Sequence, residues 1–232
     1  MKKLMYASDE VVRNGRTMVR GVLLCLLIAP VQLTAGDYSV VIGVNHSWLV
    51  YPDSELPFLD ENQFRPSYSI GANSLHRIFQ DVELSVGIRL FNVGRRDRNE
   101  LNGFEYDLMV SHVYISLPIR VGYEMIENLY PFVSVEPGFQ LHSDSKLTTS
   151  TGLNDELTFT EEMNRLNVFA GFGVKYLFSI DQQQFSIDGQ FNLGLLRVSK
   201  DEAFDVTPTG SRGWADWRTR EVVFHIEYYF DI

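Results

Sequence analysis

The chain of 232 residues has a single cysteine, Cys25, and it lacks any long uninterrupted run of apolar residues. A membrane-spanning helix needs roughly 20 consecutive apolar residues, whereas the longest candidate run, at 22–29, is much shorter. One cysteine excludes an internal disulfide, and removal of the N-terminal segment would also remove the only thiol nucleophile. The sequence therefore excludes a disulfide-stapled fold.

Basic residues are also scarce, at 20 Lys and Arg against 30 Asp and Glu. Residues 1–35 hold five of the basic and two of the acidic residues, which leaves 15 basic and 28 acidic residues and a formal charge of −13 for the remainder. An excess of negative charge argues against nucleic acid or anionic lipid as an electrostatic partner. The mean hydropathy of −0.08 does not argue against a membrane, because barrel strands are only half apolar.

The N-terminal segment has the pattern of an export signal. Arg20 precedes the short apolar core at 22–29, and small residues follow it up to Ala35. We predict a signal peptide over residues 1–35, with Met18 as an alternative start because the acidic residues upstream do not suit a basic leader. A retained membrane anchor is the competing interpretation. We expect residues 36–232 to form one domain.

A period of two residues recurs along that domain and is clearest at 219–231. One face takes Val222, Phe224, Ile226, Tyr228 and Phe230, and the other takes Glu221, Val223, His225, Glu227 and Tyr229. Such alternation over about ten residues is what a barrel strand needs when one face meets lipid and the other meets the interior. The period predicts eight strands, at 37–48, 66–75, 81–92, 108–123, 129–142, 165–178, 184–198 and 219–231.

The connections between these strands alternate between short and long. Short turns surround Arg77, Asn128 and Gln182. The long loops are predicted at 49–65, 93–107, 143–164 and 199–218 and are rich in polar residues. Short turns on the periplasmic side and long loops outside are typical of bacterial outer-membrane barrels. We therefore predict an all-β, eight-stranded, antiparallel up-and-down transmembrane β-barrel with both termini in the periplasm.

A soluble β-sandwich or lipocalin-like barrel is the structural alternative. Strands of ten or more residues are longer than those of most soluble sheets, and a sandwich gives no reason for alternating loop lengths. Aromatic residues also cluster near the strand ends, as expected for two interfacial girdles. They are Trp48, Tyr51, Tyr106, Tyr123, Tyr130, Tyr176, Phe178, Trp214, Trp217, Tyr228 and Phe230.

Two stretches of the predicted strands carry a recognisable pattern. Residues 113–142 contain Tyr114, Leu117, Pro118, Tyr123, Pro131, Phe132 and Gly138, and residues 169–195 contain Gly171, Gly173, Asn192, Leu193 and Gly194. These two stretches resemble the central signature and the following hairpin of the PorT-like outer-membrane β-barrel family common in Bacteroidota. The resemblance implies an eight-stranded barrel in the outer membrane of a Gram-negative bacterium. It also implies, as an alternative function, an accessory role in protein secretion across that membrane.

Strand parity places eight charged side chains inside the predicted barrel. They are Glu83, Arg89, Arg120, Glu136, Lys175, Asp188, Glu221 and Glu227. Because an unpaired buried charge is costly, we expect a structural network of paired charges. A narrow proton or ion path is the functional alternative.

Candidate catalytic residues lie near the outer ends of two strands. His46 and Ser47 end the first strand, and His142, Ser143 and Asp144 end the fifth. The first pair has Asn45 as its only near polar neighbour. Adjacent strand residues point to opposite faces, so the second group cannot align as a triad. We therefore predict no enzyme activity and no catalytic residue, against a lipid-modifying enzyme as the alternative.

Acidic residues are concentrated in three of the long loops, at 53–61, 155–162 and 201–205. Their spacing does not match the Asp-x-Asp-x-Asp-Gly calcium loop, so we predict no metal site and no cofactor. Divalent ions bridging these loops to lipopolysaccharide phosphates are the alternative.

These observations favour a structural or interaction protein, a small closed barrel that displays four acidic surface loops. The expected partners are outer-membrane lipid and lipopolysaccharide, the barrel assembly machinery during biogenesis, and other envelope or secretion proteins, with no nucleic acid. A narrow small-solute channel remains a further alternative.

Overall fold

The structure, a computed structural model, describes residues 37–50, 66–101, 104–152, 154–158, 163–198, 203–205, 212–214 and 218–230. The chain divides into two units, Met1–Gly36 and Asp37–Ile232. The predicted signal peptide falls on the first unit, outside the described residues, and stays a prediction. No helix among the described residues is long and apolar enough to cross a membrane.

The described residues of the second unit form twelve strands. They are β1 (Asp37–Val50), β2 (Pro66–Phe79), β3 (Val82–Leu101), β4 (Phe104–Ser116), β5 (Ile119–Tyr123), β6 (Leu129–Thr149), β7 (Asn154–Thr158), β8 (Leu166–Ile180), β9 (Gln183–Gly194), β10 (Ala203–Asp205), β11 (Arg212–Trp214) and β12 (Arg218–Phe230).

Antiparallel pairing closes the sheet into a barrel. The strand order is β2-β1-β12-β9-β8-β6-β4-β3, and β2 pairs in turn with β3. Strand β5 continues β4, since both pair with β3 on one side and with β6 on the other. The barrel therefore has eight crossings, which confirms the predicted fold and removes the sheet edges that a sandwich would leave.

The predicted two-residue period determines which side chains face the outside of the barrel. On β12, Phe224 and Ile226 are 62% and 51% exposed, whereas Glu221, Val223 and His225 are buried. The same pattern holds on β2, where Tyr68 is 72% exposed and Ser67 and Ser69 are buried. An outward apolar surface over a polar interior is the arrangement of a barrel that faces lipid.

A two-residue break separates β4 from β5 without changing this pattern. Pro118 has no amide hydrogen to contribute to the ladder, but its carbonyl accepts a hydrogen bond from the Gly87 N–H at 3.0 Å. The Leu117 N–H donates to the Pro137 carbonyl at 3.0 Å. Both neighbouring strands therefore stay connected across the break.

The three short connections lie together at one end of the barrel, which we call the turn end. In the β5–β6 turn, Asn128 adopts a left-handed φ of 66°, and its N–H donates to Glu124 Oε1 at 3.1 Å. That hydrogen bond lowers the pKa of Glu124 below its usual value. In the β8–β9 turn, Asp181 and Gln182 have φ values of 49° and 69°. Two successive positive φ angles define the type I′ turn that suits a two-residue hairpin.

An aromatic girdle lies on the outward side of the turn end along four neighbouring strands. Five ring contacts, with centroid distances of 5.3–6.4 Å, connect strands β8, β9, β12 and β1. The rings are those of Tyr176, Phe178, Phe185, Tyr228, Phe230 and Tyr38. The girdle prediction was wrong for Tyr130, which is 3% exposed and packs inside the barrel.

At the opposite end, which we call the hairpin end, two predicted loops were wrong. Strand β3 runs to Leu101 and β4 begins at Phe104, so most of 93–107 is a β-hairpin. Strand β6 runs to Thr149 and pairs with β7, so much of 143–164 is also sheet. Part of 199–218 forms the β10–β11 hairpin, and 51–65 lies outside the described residues.

These extensions form what we call the projecting sheet, residues 93–101, 104–112, 143–149 and 154–158, in the order β3-β4-β6-β7. Its outer face carries cross-strand ion pairs. Arg96 Nη2 lies 2.6 Å from Asp107 Oδ2, and Lys146 Nζ lies 3.0 Å from Glu156 Oε1. Charged pairs replace the apolar side chains found lower on the same strands, so this part of the sheet is suited to water rather than lipid.

Candidate functional site

The structure places all eight predicted interior charges inside the barrel, each at most 7% exposed. Each of the three cations lies in ion-pair contact with at least one of the five carboxylates. Three layers of contacts result, and they follow one another from the turn end toward the hairpin end.

The first layer lies near the turn end. Lys175 pairs with Glu83, and Lys175 Nζ also lies 4.9 Å from the centre of the Tyr130 ring. Below this pair, Tyr130, Leu177 and Tyr229 form a buried apolar cluster with Leu75 against it. These side chains fill the interior at the turn end.

The second layer centres on Arg120. Its Nη1 lies 3.3 Å from Asp188 Oδ2 and 3.2 Å from Glu227 Oε1. The buried ring of His225 places Nδ1 2.9 Å from Asp188 Oδ1. Glu227 also accepts hydrogen bonds from Asn73 at 3.0 Å and from Tyr229 at 2.7 Å. The carboxylates are thus held by several donors, as buried charge requires.

Glycine at position 43 makes room for this layer. A Cβ added to Gly43 would lie 2.3 Å from Cδ2 of the His225 ring, closer than two carbon atoms can approach. Any larger residue at this position would require the His225 ring to shift.

The third layer centres on Arg89, which contacts carboxylates from two other strands. Its Nε lies 2.8 Å from Glu136 Oε1, and its Nη2 lies 3.3 Å from Glu221 Oε2. The amide groups of Asn45 and Asn192 donate to Glu221 at 2.8 and 2.9 Å. Contacts from β1, β3, β6, β9 and β12 therefore meet in one layer.

An apolar cluster lies next to the third layer on its hairpin side. Phe91, Val93, Tyr114 and Phe169 are each at most 1% exposed, and the three rings have centroids 5.4–5.6 Å apart. The Arg89 guanidinium carbon lies 4.0 Å from the centre of the Phe91 ring. Charged layers enclosed by two apolar clusters leave an interior occupied by side chains, as expected for eight strands.

The predicted catalytic candidates separate in the structure. His142 and Asp144 lie on the outer surface, 3.8 Å apart and about half exposed, whereas Ser143 is fully buried inside. His46 and Ser47 also diverge, since Ser47 bridges to Gly94 through hydrogen bonds of 2.8 and 3.2 Å. The bridge joins β1 to β3 where β2 no longer lies between them.

Sequence reasoning missed the contact that Ser143 does make. His112 Nδ1 lies 2.8 Å from Ser143 Oγ, and both residues are 0% exposed. The two positions are 31 residues apart on neighbouring strands, and only the register of β4 against β6 could have revealed the contact. Full burial of both side chains keeps this pair from any substrate that approaches from solvent.

The predicted acidic loops lie mostly outside the described residues. Among these acidic residues the structure describes the side chain of Glu156, which pairs with Lys146. In the described part of the chain, no three His, Cys, Asp or Glu side chains lie close enough together to hold a metal ion.

A family model described as the outer membrane protein beta-barrel domain matches residues 55–199, more than half of the chain. The chain belongs to this outer-membrane β-barrel family. The apolar exterior of the barrel therefore faces the lipid of an outer membrane, and the charged layers lie within it. The family match shows no PorT-like or Bacteroidota specificity. No curated protein gives a significant sequence match.

Solved outer-membrane barrels are similar in fold to this family member. The attachment invasion locus protein Ail of Yersinia pestis, in complex with the heparin analogue sucrose octasulfate, is 12% identical with a TM-score of 0.44, over 85% of this chain and 100% of that one. Neisserial surface protein A is 11% identical with a TM-score of 0.40, over 83% and 97%. The N-terminal barrel domain of Pseudomonas aeruginosa OprF is 12% identical with a TM-score of 0.36, over 84% and 99%. Similarities at this level say nothing about what this barrel binds.

Proposed function

We propose that the protein is a closed outer-membrane scaffold that presents its projecting sheet outside the cell for contact with another macromolecule. The observation that carries this proposal is the contrast between the two parts of β3, β4 and β6. Their lower halves surround a filled interior, and their upper halves continue as sheet beyond the lipid-facing surface. A rigid barrel that displays such elements is a common basis for recognition.

The orientation is part of this proposal. The turn end lies in the periplasm, together with the first residue of β1 and the last of β12, as short turns do in this class of barrel. The projecting sheet then lies outside. Its exposed strand β7 pairs with β6, and no other described strand pairs with it. The second edge of β7 offers backbone groups to which an extended segment of a partner can add.

In this proposal the interior charges have a structural role. The residues at the outer ends of the strands have no catalytic role. Export by the signal peptide and insertion by the barrel assembly machinery precede this state.

Cross-linking in intact cells tests the proposal. A photo-reactive residue at Asn154 or Thr158, both exposed on β7, is expected to capture an external macromolecule. The matched probe at Glu127, exposed in the β5–β6 turn, is expected to capture none. Capture only from the turn would overturn the proposal.

An accessory role in protein secretion is the second candidate. The resemblance to the PorT-like family favours it, and so do Met125 and Ile126, which are 58% and 61% exposed in the β5–β6 turn. Apolar side chains at such a turn suit a periplasmic protein partner. The same Glu127 probe would then capture an envelope protein, and the β7 probes would not.

A further inference from the structure

Strand β7 is the last strand of the projecting sheet in the described part of the chain. It pairs antiparallel with β6, and Glu156 lies directly opposite Lys146. In an antiparallel ladder, alternate residues point their backbone N–H and C=O groups away from the partner strand. No second described strand pairs with β7, so its other edge presents donors and acceptors to which an extended segment can bond.

The charges on the outer face of the projecting sheet follow the strands. Strand β3 contributes Arg96 and Arg98, and its neighbour β4 contributes Asp107 and the exposed Glu105. Asp107 Oδ2 lies 2.6 Å from Arg96 Nη2 and 3.1 Å from Arg98 Nε. One carboxylate on this face therefore holds two cations at once, as its lone pairs allow.

Strands β6 and β7 repeat this arrangement. Lys146 on β6 places Nζ 3.0 Å from Glu156 Oε1 on β7. Asp144, which shares the outer face of β6 with Lys146, lies 3.8 Å from His142 of its own strand. The cross-strand ion pairs thus join a cation on one strand to a carboxylate on the next, and the described sheet ends on a carboxylate.

The Glu156 side chain has room for a second cation. It is 69% exposed although it pairs with Lys146. A strand added to the other edge of β7 would place one residue directly opposite Glu156, with Cβ atoms about 4.5–5.5 Å apart. A lysine or arginine at that position reaches the same carboxylate, as Arg96 and Arg98 share Asp107. An acidic residue there would be repelled.

A second copy of this chain does not match the edge. Residues 154–158 have the sequence Asn-Asp-Glu-Leu-Thr and include no basic residue, so no register of one β7 against another supplies a cation. The symmetric register centred on Glu156 would place two glutamates opposite each other, which destabilises a sheet. The net charge of −10 also favours the approach of a basic partner at longer range.

We propose that β7 accepts an extended segment of an external polypeptide as an added strand, with a lysine or arginine of that segment opposite Glu156. Main-chain hydrogen bonds along the edge supply the affinity, and the cation sets the register and the selectivity. The inference rests on the proposed function, because it names the chemistry of the partner that the projecting sheet contacts.

Two synthetic peptides test the proposal on the full chain in phosphatidylcholine nanodiscs. The lysine peptide TVKVKVT and the glutamate peptide TVEVEVT share one strand pattern and have opposite charges. Fluorescence anisotropy is expected to show that wild-type protein binds the lysine peptide about five- to tenfold more tightly. Amide hydrogen exchange at residues 154–158 is expected to slow when that peptide binds. A lysine peptide methylated at its backbone nitrogens keeps its charge but cannot add as a strand, and it is expected not to bind.

Exchange of the two charges between β6 and β7 gives the decisive variant. K146E/E156K keeps an ion pair within the sheet and presents a cation at the edge, so the preference is expected to reverse to the glutamate peptide by a similar factor. E105Q removes one carboxylate from β4 of the same sheet, away from the edge, and is expected to keep the wild-type preference. Heat-modifiable gel mobility confirms that each variant is folded.

Four outcomes would overturn the inference: no binding of the lysine peptide, equal binding of its methylated form, a preference that does not reverse in K146E/E156K, or full protection of every β7 amide before peptide is added. The last outcome would mean that the edge is already covered. The cross-linking probes on β7 in intact cells report the proposed function separately. Capture by those probes without a charge preference for peptides would overturn only the inference about β7, and the scaffold proposal would stand.

Discussion

Arg89 connects three strands inside the barrel through two ion pairs. Its guanidinium lies between Glu136 on β6 and Glu221 on β12, so three strands share one cation. The three side chains are at most 3% exposed, and loss of the cation would leave two carboxylates without their charge partner in a site that water does not reach.

Replacement of Arg89 by Met is therefore expected to lower the free energy of unfolding by about 3–5 kcal/mol. Urea unfolding of protein inserted in lipid vesicles, followed by heat-modifiable gel mobility, measures the change. Arg77→Met is the matched control, because Arg77 is exposed at the turn end, and it is expected to stay within about 0.5 kcal/mol. A loss no larger than that of the control would contradict the buried network.

Asp107 gives the projecting sheet a dependence on pH. The hydrogen bonds from Arg96 hold the pKa of Asp107 below its usual value, and Arg98 adds to the effect. A depressed pKa means that the stabilisation is complete above the ordinary aspartate value of about 4 and is lost as pH falls through the lower folded-state value.

We expect the β3–β4 hairpin to become more accessible to an acid-active protease below about pH 4. Asp107→Asn is expected to show the same accessibility at neutral pH and no further change on acidification. Asp144→Asn, a half-exposed position on the same sheet, is the control. A wild-type hairpin whose cleavage is unaffected by acid would rule out this role for Asp107.

Individual side chains also show how far the sequence could be interpreted. Strand parity was enough to place Glu83 or Arg120 inside, because a period of two assigns every residue to one face. It could not pair Arg89 with Glu136, since cross-strand contacts depend on register and on the tilt of the strands. The same limit hid the contact between His112 and Ser143.

The β8–β9 turn shows a local mismatch between residue type and backbone. Gln182 adopts a φ of 69°, a left-handed conformation in which a residue with a Cβ loses about 1 kcal/mol or more relative to glycine. Type I′ turns favour glycine at this second position.

Gln182→Gly is accordingly expected to raise the free energy of unfolding by about 1 kcal/mol. The neighbouring change Gln183→Gly falls within β9 and is expected to lower it by a similar amount. The urea assay described for Arg89 compares the two variants. Equal effects of the same sign would show that the turn is not under strain.

Strand bounds were predicted well in the lipid-facing part of the barrel and poorly above it. The alternation of apolar and polar residues exists because one face meets lipid. Above the lipid, Arg96, Arg98 and Asp107 occupy the outward face, and the apolar signal that marks a strand disappears. The sheet continues there through backbone pairing and ion pairs, which no hydropathy pattern reports.

The whole barrel is expected not to conduct ions. Three charged layers and two apolar clusters occupy the interior among the described residues, and an eight-stranded barrel has little space beyond its own side chains. Planar bilayer recordings of the purified protein are expected to show no stable conductance steps. Reproducible steps that disappear in a denatured sample would contradict a closed interior and favour the channel alternative.

At the scale of the molecule, net charge does not report how charge is distributed around the barrel. The sequence has 20 Lys and Arg against 30 Asp and Glu, yet Arg165, Arg197, Arg218 and Arg220 are all exposed near the hairpin end. The fold class was predictable from periodicity and loop lengths, whereas the positions of these arginines depend on where β8 begins and β9 ends.

The pairing of β1 with β12 has a consequence for how the barrel folds. Tyr38 pairs with Phe230, and the ladder continues to Val50 against Arg218, so the two strands that close the barrel are separated by almost the whole domain. Long-range pairing of this kind slows folding, because the intervening chain must be ordered before the contact forms. The barrel cannot close until β12 is present to pair with β1. The apolar outward faces of the earlier strands therefore stay open to aggregation until the last strand is in place.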